Sequence, residues 1–414
     1  MRAGPDLDGH PAGPHRSPEV AFCLELGKAF LTYGIPAHRF EEGMARVCRT
    51  LGIEGQFFAL PTAFFASLER DGQRWTFFER LNSADLDLEK LSRLQELTED
   101  LLEGRMDAAA SAAAVRALLS SPPRWGPALT VACFGLGSMP AACFFGGGWR
   151  EMALTGLLGL LVGLGSVLLG RRQGLARLIH PVSGLLVGFL AVLMAHRFPH
   201  VSPQILTVAG LIVLLPGLRL VVAMNELATG NLVAGTSRLM DTAMTFLALG
   251  FGVALGQRLA APWLEGALRG VPLPLPGWAL AVSLVMAAAG LLVLFRARPA
   301  DFPWILGACI LAFLGARGGS AWLGPQFGVG LGAFVLGLAS NLFSRIAHRP
   351  SVVPLLPGLM VLVPGGLGFK GLEFIIQKQL VAGLDTAFQA LFVAIALLTG
   401  LLLAHATVQS RTEL

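Results

Sequence analysis

The chain has 414 residues, of which 54% are apolar and only 14% are charged, and its mean hydropathy is +0.66. This composition is too apolar for a soluble globular protein, and its 51 glycines and 25 prolines are typical of close-packed, kinked membrane helices. The formal charge of +5 comes without a Lys/Arg-rich tract, so nothing indicates nucleic-acid binding. The five cysteines form no CxxC or other metal-ligand spacing, so we expect no disulfide framework, no metal site and no cofactor.

The first part of the chain precedes any apolar span. Residues 1–18 are rich in Pro, Gly and His without an apolar run after Met1-Arg2, which predicts a disordered leader and argues against a signal peptide. Residues 19–125 hold most of the acidic side chains and predict a small cytoplasmic α+β domain. Its predicted elements are two helices up to residue 51, β-rich runs at 55–60, 62–69 and 74–79, and helices near 87–103 and 107–120. Asp71-Gly72 predicts the hairpin turn between the last two strands.

One polar cluster in this domain, His38, Arg39, Glu41 and Glu42, places a histidine and carboxylates on one helix face. A single histidine with nearby carboxylates supplies too few ligands for a metal site. The domain also has no Gly-Xaa-Ser-Xaa-Gly motif and no phosphate loop. We therefore interpret the cluster as a solvated helix start with local ion pairs. The domain is then a regulatory or coupling module and the protein is not an enzyme.

Ten apolar stretches follow, each close to the twenty or so residues that a membrane-spanning helix needs. Five lie in residues 126–260 and five in 278–408, separated by a Pro-rich linker at 261–277. The predicted spans are 127–145, 150–170, 176–196, 203–222, 232–256, 278–296, 302–320, 326–345, 351–369 and 380–404.

The two sets of five spans resemble each other. Residues 210–217, GLIVLLPG, recur 148 positions later as GLMVLVPG at 358–365, and the same shift aligns 182–256 with 330–404 without a gap. This indicates a duplication. Because each copy has an odd number of spans, the second must enter the membrane from the opposite side. The predicted fold class is therefore mostly α, a polytopic 5+5 inverted repeat preceded by a small α+β domain.

Each copy carries a Pro-Gly pair inside an apolar stretch, and the proline must break or kink the helix because it lacks an N–H. Interrupted helices at matching positions are typical of transporter substrate sites, although a plain proline kink remains the alternative. The residues that we expect at the site are Pro216, Gly217, Arg219, Asn225, Glu226, Asn231, Pro364, Gly365, Gly366, Lys370 and Glu373. For Arg219, Glu226 and Lys370 an interfacial loop position is an equal alternative.

Two carboxylates, Asp241 and Asp385, lie inside the last apolar run of each copy. Ionisable groups at membrane depth usually face a cavity and carry protons or substrate. We therefore expect both to be buried, with pKa values raised towards neutrality by desolvation, and to couple transport to protons.

Four blocks resemble the threonine/serine exporter family of bacteria and some fungi. They are LGKAFLTYGIPAHRFEE at 26–42, FALPTAFFAS at 58–67, LPG at 215–217 with ELATGNLVAG at 226–235, and VPGGLGFKGL at 363–372. The resemblance implies a ten-span inner-membrane exporter of small hydrophilic amino acids, driven by the proton gradient. Where the two parts are separate polypeptides, the pair is associated with dicarboxylate export. The chain departs from the family pattern at Val221-Val222, Asn225, Gly366 and Lys370.

The sequence thus predicts a secondary transporter that exports threonine/serine-like amino acids or small carboxylates, with protons and the lipid bilayer as its other partners. A membrane-anchored enzyme and a passive channel or sensor are the alternatives, and a homo-oligomer is compatible with the sequence. Both termini are expected in the cytoplasm of a bacterial cell, since more arginines fall on that side of the membrane. Those arginines are Arg171, Arg172, Arg177, Arg296, Arg298, Arg345 and Arg349.

Overall fold

The computed structural model describes residues 17–81, 86–263, 272–273, 275–362 and 365–408, without the side chains of His38 and Gln173. Almost all of the predicted leader, most of the Pro-rich linker and the predicted site residue Pro364 lie outside the described residues. The chain divides into two compact units that separate between Pro122 and Pro123.

The N-terminal unit is the expected α+β domain with a three-stranded antiparallel sheet in the order β1-β2-β3. Asp71 and Gly72 both have positive φ values, 54° and 76°, as a two-residue hairpin with a type I′ turn requires. Phe40 of α2 packs edge-on against Phe57 and Phe64 of the sheet. The elements are α1 (Pro18–Thr32), α2 (Ala37–Thr50), β1 (Glu54–Leu60), β2 (Ala63–Arg70), β3 (Gln73–Arg80), α3 (Leu88–Leu102) and α4 (Ala108–Ser120).

The second unit is helical throughout its described part. Its helices are α5 (Pro127–Phe144), α6 (Trp149–Gly170), α7 (Gln173–Ala176), α8 (Ile179–Arg197), α9 (Pro203–Gly210), α10 (Gly217–Ala228), α11 (Leu232–Ala260), α12 (Trp278–Leu294), α13 (Phe302–Leu323), α14 (Pro325–Ala347), α15 (Val352–Leu362), α16 (Gly365–Ile376) and α17 (Leu380–Thr407). Within the described residues, eight stretches are long and apolar enough to cross a membrane. The prediction of a mostly helical, polytopic membrane protein is therefore confirmed.

Three of the ten predicted spans are not described as single long helices. One of them, 351–369, is covered by α15 and the start of α16, and residues 363–364 between these helices lie outside the described residues. The stretch predicted at 203–222 consists of two short helices, α9 and α10, separated by turns from Leu211 to Leu215. Pro216, with φ −82° and ψ 43°, stands before the first residue of α10. The stretch predicted at 278–296 is α12, which has 17 residues.

Corresponding helices of the two halves pack in the same way. Helix α8 packs on α11 as α14 packs on α17, α10 packs on α11 as α16 packs on α17, and α9 packs on α6 as α15 packs on α13. Glycines allow the closest crossings: a Cβ atom on Gly252 of α11 would collide with the carbonyl oxygen of Pro181, and one on Gly400 of α17 with that of Gly330. Gly252 and Gly400 are 148 positions apart, so the same residue type makes both crossings.

Left-handed backbone positions also recur in the two halves. The pairs, with their φ values, are Gly146 (81°) and Arg296 (52°), His200 (62°) and His348 (54°), and Gly230 (85°) and Lys378 (63°). The last two pairs keep the 148-residue shift, and the first has a shift of 150. The correspondence in turn geometry therefore extends to α5 and α12, beyond the segment in which the sequences align.

Candidate functional site

The first residues of α10 and α16 lie against each other. A Cβ atom added to Gly365, the first residue of α16, would lie 3.2 Å from the Cα atom of Gly217 and 3.5 Å from the Cβ atom of Leu215. Gly217 is the first residue of α10. Since the first N–H groups of a helix have no partner within it, the positive ends of two half-helices are directed to one place.

A cavity of about 920 Å³ adjoins both breaks. Ile212 and Val213 contact it from the segment before α10, and Leu362 and Gly366 contact it from the ends of α15 and α16. Among the described residues its other walls come mainly from α5, α12, α14 and α17. They include Phe134, Phe144, Phe145, Leu291, Leu294, Val329, Met360 and Val393.

Phe145 separates this cavity from a lysine. A Cβ atom on Gly366 would overlap the ring of Phe145, so glycine is needed here for the ring to fit. The Nζ atom of Lys370 lies 4.7 Å from the centroid of the same ring, a distance typical of a cation–π contact. The predicted site residue Lys370 thus lies one aromatic ring away from the cavity.

Two glutamates among the predicted site residues are buried. Glu226 of α10 is completely covered, and the Nε atom of Arg238 on α11 donates to its two carboxylate oxygens at 3.0 and 2.9 Å. Glu373 of α16 is 6% exposed and lies 3.5 Å from the Nε2 atom of Gln257 and 3.4 Å from that of Gln377. Gln257 belongs to α11, so Glu373 joins the second half of the molecule to the first.

The expected burial of Asp241 and Asp385 is wrong. The Asp241 side chain is 63% exposed and pairs with Arg219 at 3.1 Å, and Asp385 is also exposed and accepts from the Nε2 atom of Gln389 at 2.8 Å. Asp241 is exposed because it lies on the face of α11 that is turned away from the packed helices. On α11 the packed face contains Thr242 and the residues in register with it, and a neighbouring position points about 100° away.

The remaining predicted residues lie between or beside these groups. Asn225 is half-buried on α10, and the Asn231 N–H donates to the carbonyl oxygen of Glu226 at 2.8 Å where α10 turns into α11. Of the predicted site residues that the structure describes, only Gly366 lines the cavity. Arg219, Glu226 and their partners belong to the α10–α11 hairpin.

Two buried carboxylates were missed by the sequence analysis. Glu151 of α6 accepts from the backbone N–H groups of Gly148 at 2.9 Å and Ser202 at 3.1 Å. Asp301, which precedes α13, accepts from the N–H of Arg298 at 3.1 Å and pairs with Arg349. Both acids are almost fully covered. Their position at matching helix starts, 150 residues apart, was the available signal.

Glu151 and Asp301 make equivalent connections in the two halves of the second unit. Glu151 ties the start of α6 to the residue that precedes α9, and Asp301 ties the start of α13 to the loop that precedes α15. Helices α9 and α15 are the ones that run into the two breaks. A buried acid therefore anchors the outer end of each interrupted helix.

The polar cluster of the N-terminal unit has a structural function at one residue. The Oε1 atom of Glu41 accepts from the Ala59 N–H of β1 at 2.9 Å, which ties α2 to the sheet. Burial raises the pKa of Glu41, this hydrogen bond lowers it, and the charge of Glu42 raises it. Glu42 is exposed, Arg39 is half-buried, and the side chain of His38 lies outside the described residues. No group of three His, Cys, Asp or Glu side chains within the described ranges could hold a metal ion.

Comparison with known proteins agrees with the resemblance seen in the sequence. A family model for threonine/serine exporters matches residues 21–260, and a second, described as Threonine/Serine exporter, ThrE, matches residues 280–407. Pheromone-regulated membrane protein 10 of Candida albicans is 27% identical over 383 residues, covering 89% of this chain and 34% of the relative. The protein of the same name in Saccharomyces cerevisiae is 26% identical over 380 residues, covering 88% and 48%. The chain thus spans a third to a half of the length of these relatives. No solved structure matches it.

Proposed function

The chain belongs to the threonine/serine exporter family, and on this premise we propose that it is a secondary transporter that exports small amino acids or small carboxylates by alternating access. The observation that carries the proposal is the approach of Gly217 and Gly365 beside a cavity, because two interrupted helices that meet at one place are typical of a transporter site. A catalytic N-terminal domain has no such observation in its favour.

The proposed architecture is ten membrane crossings in an inverted 5+5 repeat. The recurring left-handed turns and the matching packing of α8 on α11 and α14 on α17 support it. So do reciprocal contacts between the halves, since α10 packs on α17 and α16 packs on α11. In such an arrangement the two halves exchange conformations, and the site between them opens to each side in turn.

Substrate recognition is proposed at the breaks. The N-terminal ends of α10 and α16 favour a negative group, which suits the carboxylate that amino acids and dicarboxylates share. Lys370 lies on the second turn of α16, behind the ring of Phe145, and supplies a positive charge at the same end of the cavity. Displacement of this ring would bring the lysine into contact with the substrate carboxylate.

Proton coupling is proposed to depend on a carboxylate that changes its protonation during the cycle. Glu373 is the first candidate because it is buried, follows Lys370 by three residues and contacts Gln257 of the other half. Asp241 and Asp385, the candidates from the sequence, rank below it because both are exposed. We place the protein in the inner membrane of a bacterium with both termini in the cytoplasm, and assign the N-terminal unit a regulatory or coupling function.

The proposal is tested with purified full-length protein in proteoliposomes. Vesicles loaded with serine, threonine, a larger amino acid or a dicarboxylate are diluted into the labelled solute, and counterflow is followed with and without an imposed pH gradient. We expect counterflow of at least one of these solutes, with net flux that follows the pH gradient. A monodisperse, oriented preparation that moves none of them would refute the transporter assignment.

A further inference from the structure

Polar side chains contact the cavity at four described positions, Thr130, Arg296, Gln326 and Gln389. The hydroxyl of Thr130 donates to the carbonyl oxygen of Gly126 at 3.2 Å. Arg296 follows the end of α12, and Gln326 is the second residue of α14. Gln389 is on α17, the helix that packs along α16. It therefore brings a polar group to the helix whose start lies beside the cavity.

Gln389 is close to the first turn of α16. A Cβ atom on Gly368 would lie 3.9 Å from the Cβ atom of Ala390, the residue that follows Gln389. Gly368 is three residues after the first residue of α16, which corresponds to about 5 Å along the helix axis. Gln389 and Gly366 both line the cavity. The amide thus reaches the cavity beside the helix start at which the proposed function places the substrate carboxylate.

Asp385 fixes the orientation of the Gln389 side chain. The Nε2 atom of Gln389 donates to a carboxylate oxygen of Asp385, one turn earlier on α17, at 2.8 Å. An ionised carboxylate can only accept hydrogen bonds, so the amide must turn its NH₂ group towards Asp385. The Oε1 atom of Gln389 is left as an acceptor, and none of the residues that the structure describes donates to it.

An amide oxygen at this place discriminates between solutes. An amino acid carries an ammonium group, with three donors, next to its carboxylate, whereas a simple carboxylate or a dicarboxylate has no such donor. The ammonium group can donate to the Gln389 Oε1 atom while the carboxylate lies at the starts of α10 and α16. A second carboxylate in its place would face an acceptor and would lose water without gaining a hydrogen bond, which costs free energy.

We propose that Gln389 selects amino acids over carboxylates without an amino group, by accepting a hydrogen bond from the ammonium group of the solute. Asp385 is then a positioning residue, because it acts through Gln389. At the 148-residue shift Gln389 corresponds to Asp241, which pairs with Arg219 and is not part of the described lining, so the second half makes this contact. This inference rests on the proposed transport function and names a recognition residue of the same site.

The test compares counterflow of serine, alanine and 3-hydroxypropionate in proteoliposomes. Alanine lacks the hydroxyl of serine, 3-hydroxypropionate lacks its ammonium group, and all three solutes carry a carboxylate. The wild-type protein is compared with Gln389→Met, which keeps the length of the side chain and removes the amide. Gln379→Met is the matched control, because Gln379 is exposed at the start of α17 and is not part of the described lining.

In Gln389→Met we expect the KM for serine and for alanine to rise about tenfold at an unchanged maximal rate, as for the loss of a hydrogen bond to a charged group. Flux of 3-hydroxypropionate should not change, and Gln379→Met should behave as the wild type. Asp385→Ala releases the amide, which can then turn its NH₂ group to the cavity. This variant should narrow the preference for serine over 3-hydroxypropionate in the same direction.

An unchanged KM for serine in Gln389→Met would overturn the inference and leave the transport function standing. An equal loss of flux for all three solutes would also overturn it, because the side chain would then have a structural function only. A rise in KM for serine and not for alanine would overturn the contact with the ammonium group in favour of the hydroxyl. No flux of any solute by the wild-type protein would refute the transport function itself.

Discussion

Gly217 and Gly365 are 148 residues apart in the sequence and lie in contact in the structure. A Cβ atom on Gly365 would lie 3.2 Å from the Cα atom of Gly217. Each is the first residue of a helix that follows a proline. A Cβ atom at this distance fits only if the neighbouring backbone moves by a few tenths of an ångström, so a larger side chain should separate the two helix starts. The approach also directs the positive ends of the two helices to one place. The proposed transport cycle depends on this contact.

The buried acid Asp301 should matter far more for stability than the exposed acid Asp241. Asp301→Ala leaves Arg349 without its carboxylate partner and the N–H of Arg298 without its acceptor, and breaking a buried pair costs about 3–5 kcal/mol. Asp241→Ala breaks an exposed pair with Arg219, worth about 0–1 kcal/mol. Thermal unfolding of both variants in detergent measures the difference. Equal midpoints for the two variants would contradict the anchoring function of Asp301.

Glu373 should carry the proton dependence of transport. We expect Glu373→Gln to keep solute exchange, which needs no net proton movement, and to lose the response of net flux to a pH gradient. Asp241→Asn and Asp385→Asn should keep this response, because both carboxylates are exposed and pair at the surface of their helices. Loss of the response in either aspartate variant, with Glu373→Gln still coupled, would restore the assignment made from sequence.

Glu41 should make the N-terminal unit less stable as the pH rises. Burial raises the pKa of this carboxyl above 4.5, so the folded state binds the proton more tightly than the unfolded state. Stability therefore falls as the pH rises from about 4.5 through the folded pKa, and at neutral pH the buried charge is a net cost. Glu41→Gln removes the charge and keeps an oxygen that can accept from the Ala59 N–H.

Hydrogen exchange of β1 in the full-length protein measures this effect. We expect slower exchange in Glu41→Gln than in the wild type at pH 7, and a smaller difference at pH 4, where the wild-type carboxyl is largely protonated. Glu42→Gln is the control, because Glu42 is exposed on the same helix. Faster exchange in Glu41→Gln at neutral pH would mean that the charged hydrogen bond outweighs burial.

Local sequence signals predicted much of this fold. The β-rich runs and Asp71-Gly72 predict the hairpin because a type I′ turn requires positive φ at two residues, and both have it. Pro216 predicts the helix break for an equally local reason, the missing N–H. Such features depend on the backbone of a few neighbouring residues, so they can be inferred without knowledge of the tertiary packing.

The direction in which membrane helices point their side chains could not be predicted in the same way. In a soluble helix the apolar face identifies the packed side, whereas a membrane helix is apolar on all faces. Asp241 was therefore expected to be buried and is exposed, and the partner of Glu226 could have been any nearby cation until the register of α10 and α11 placed Arg238 beside it. Glu151 was missed although it is an isolated acid at the start of an apolar run.

The most direct test of the central claim is counterflow in proteoliposomes by Gly365→Leu and by the matched control Gly307→Leu. A side chain on Gly365 meets Gly217, and a Cβ atom on Gly307 of α13 meets nothing within 4 Å. With both variants monodisperse and equally reconstituted, we predict wild-type flux for Gly307→Leu and loss of flux for Gly365→Leu, with Gly365→Ala between them. Wild-type flux by Gly365→Leu would contradict the account, because transport would then not depend on the contact between the two helix breaks.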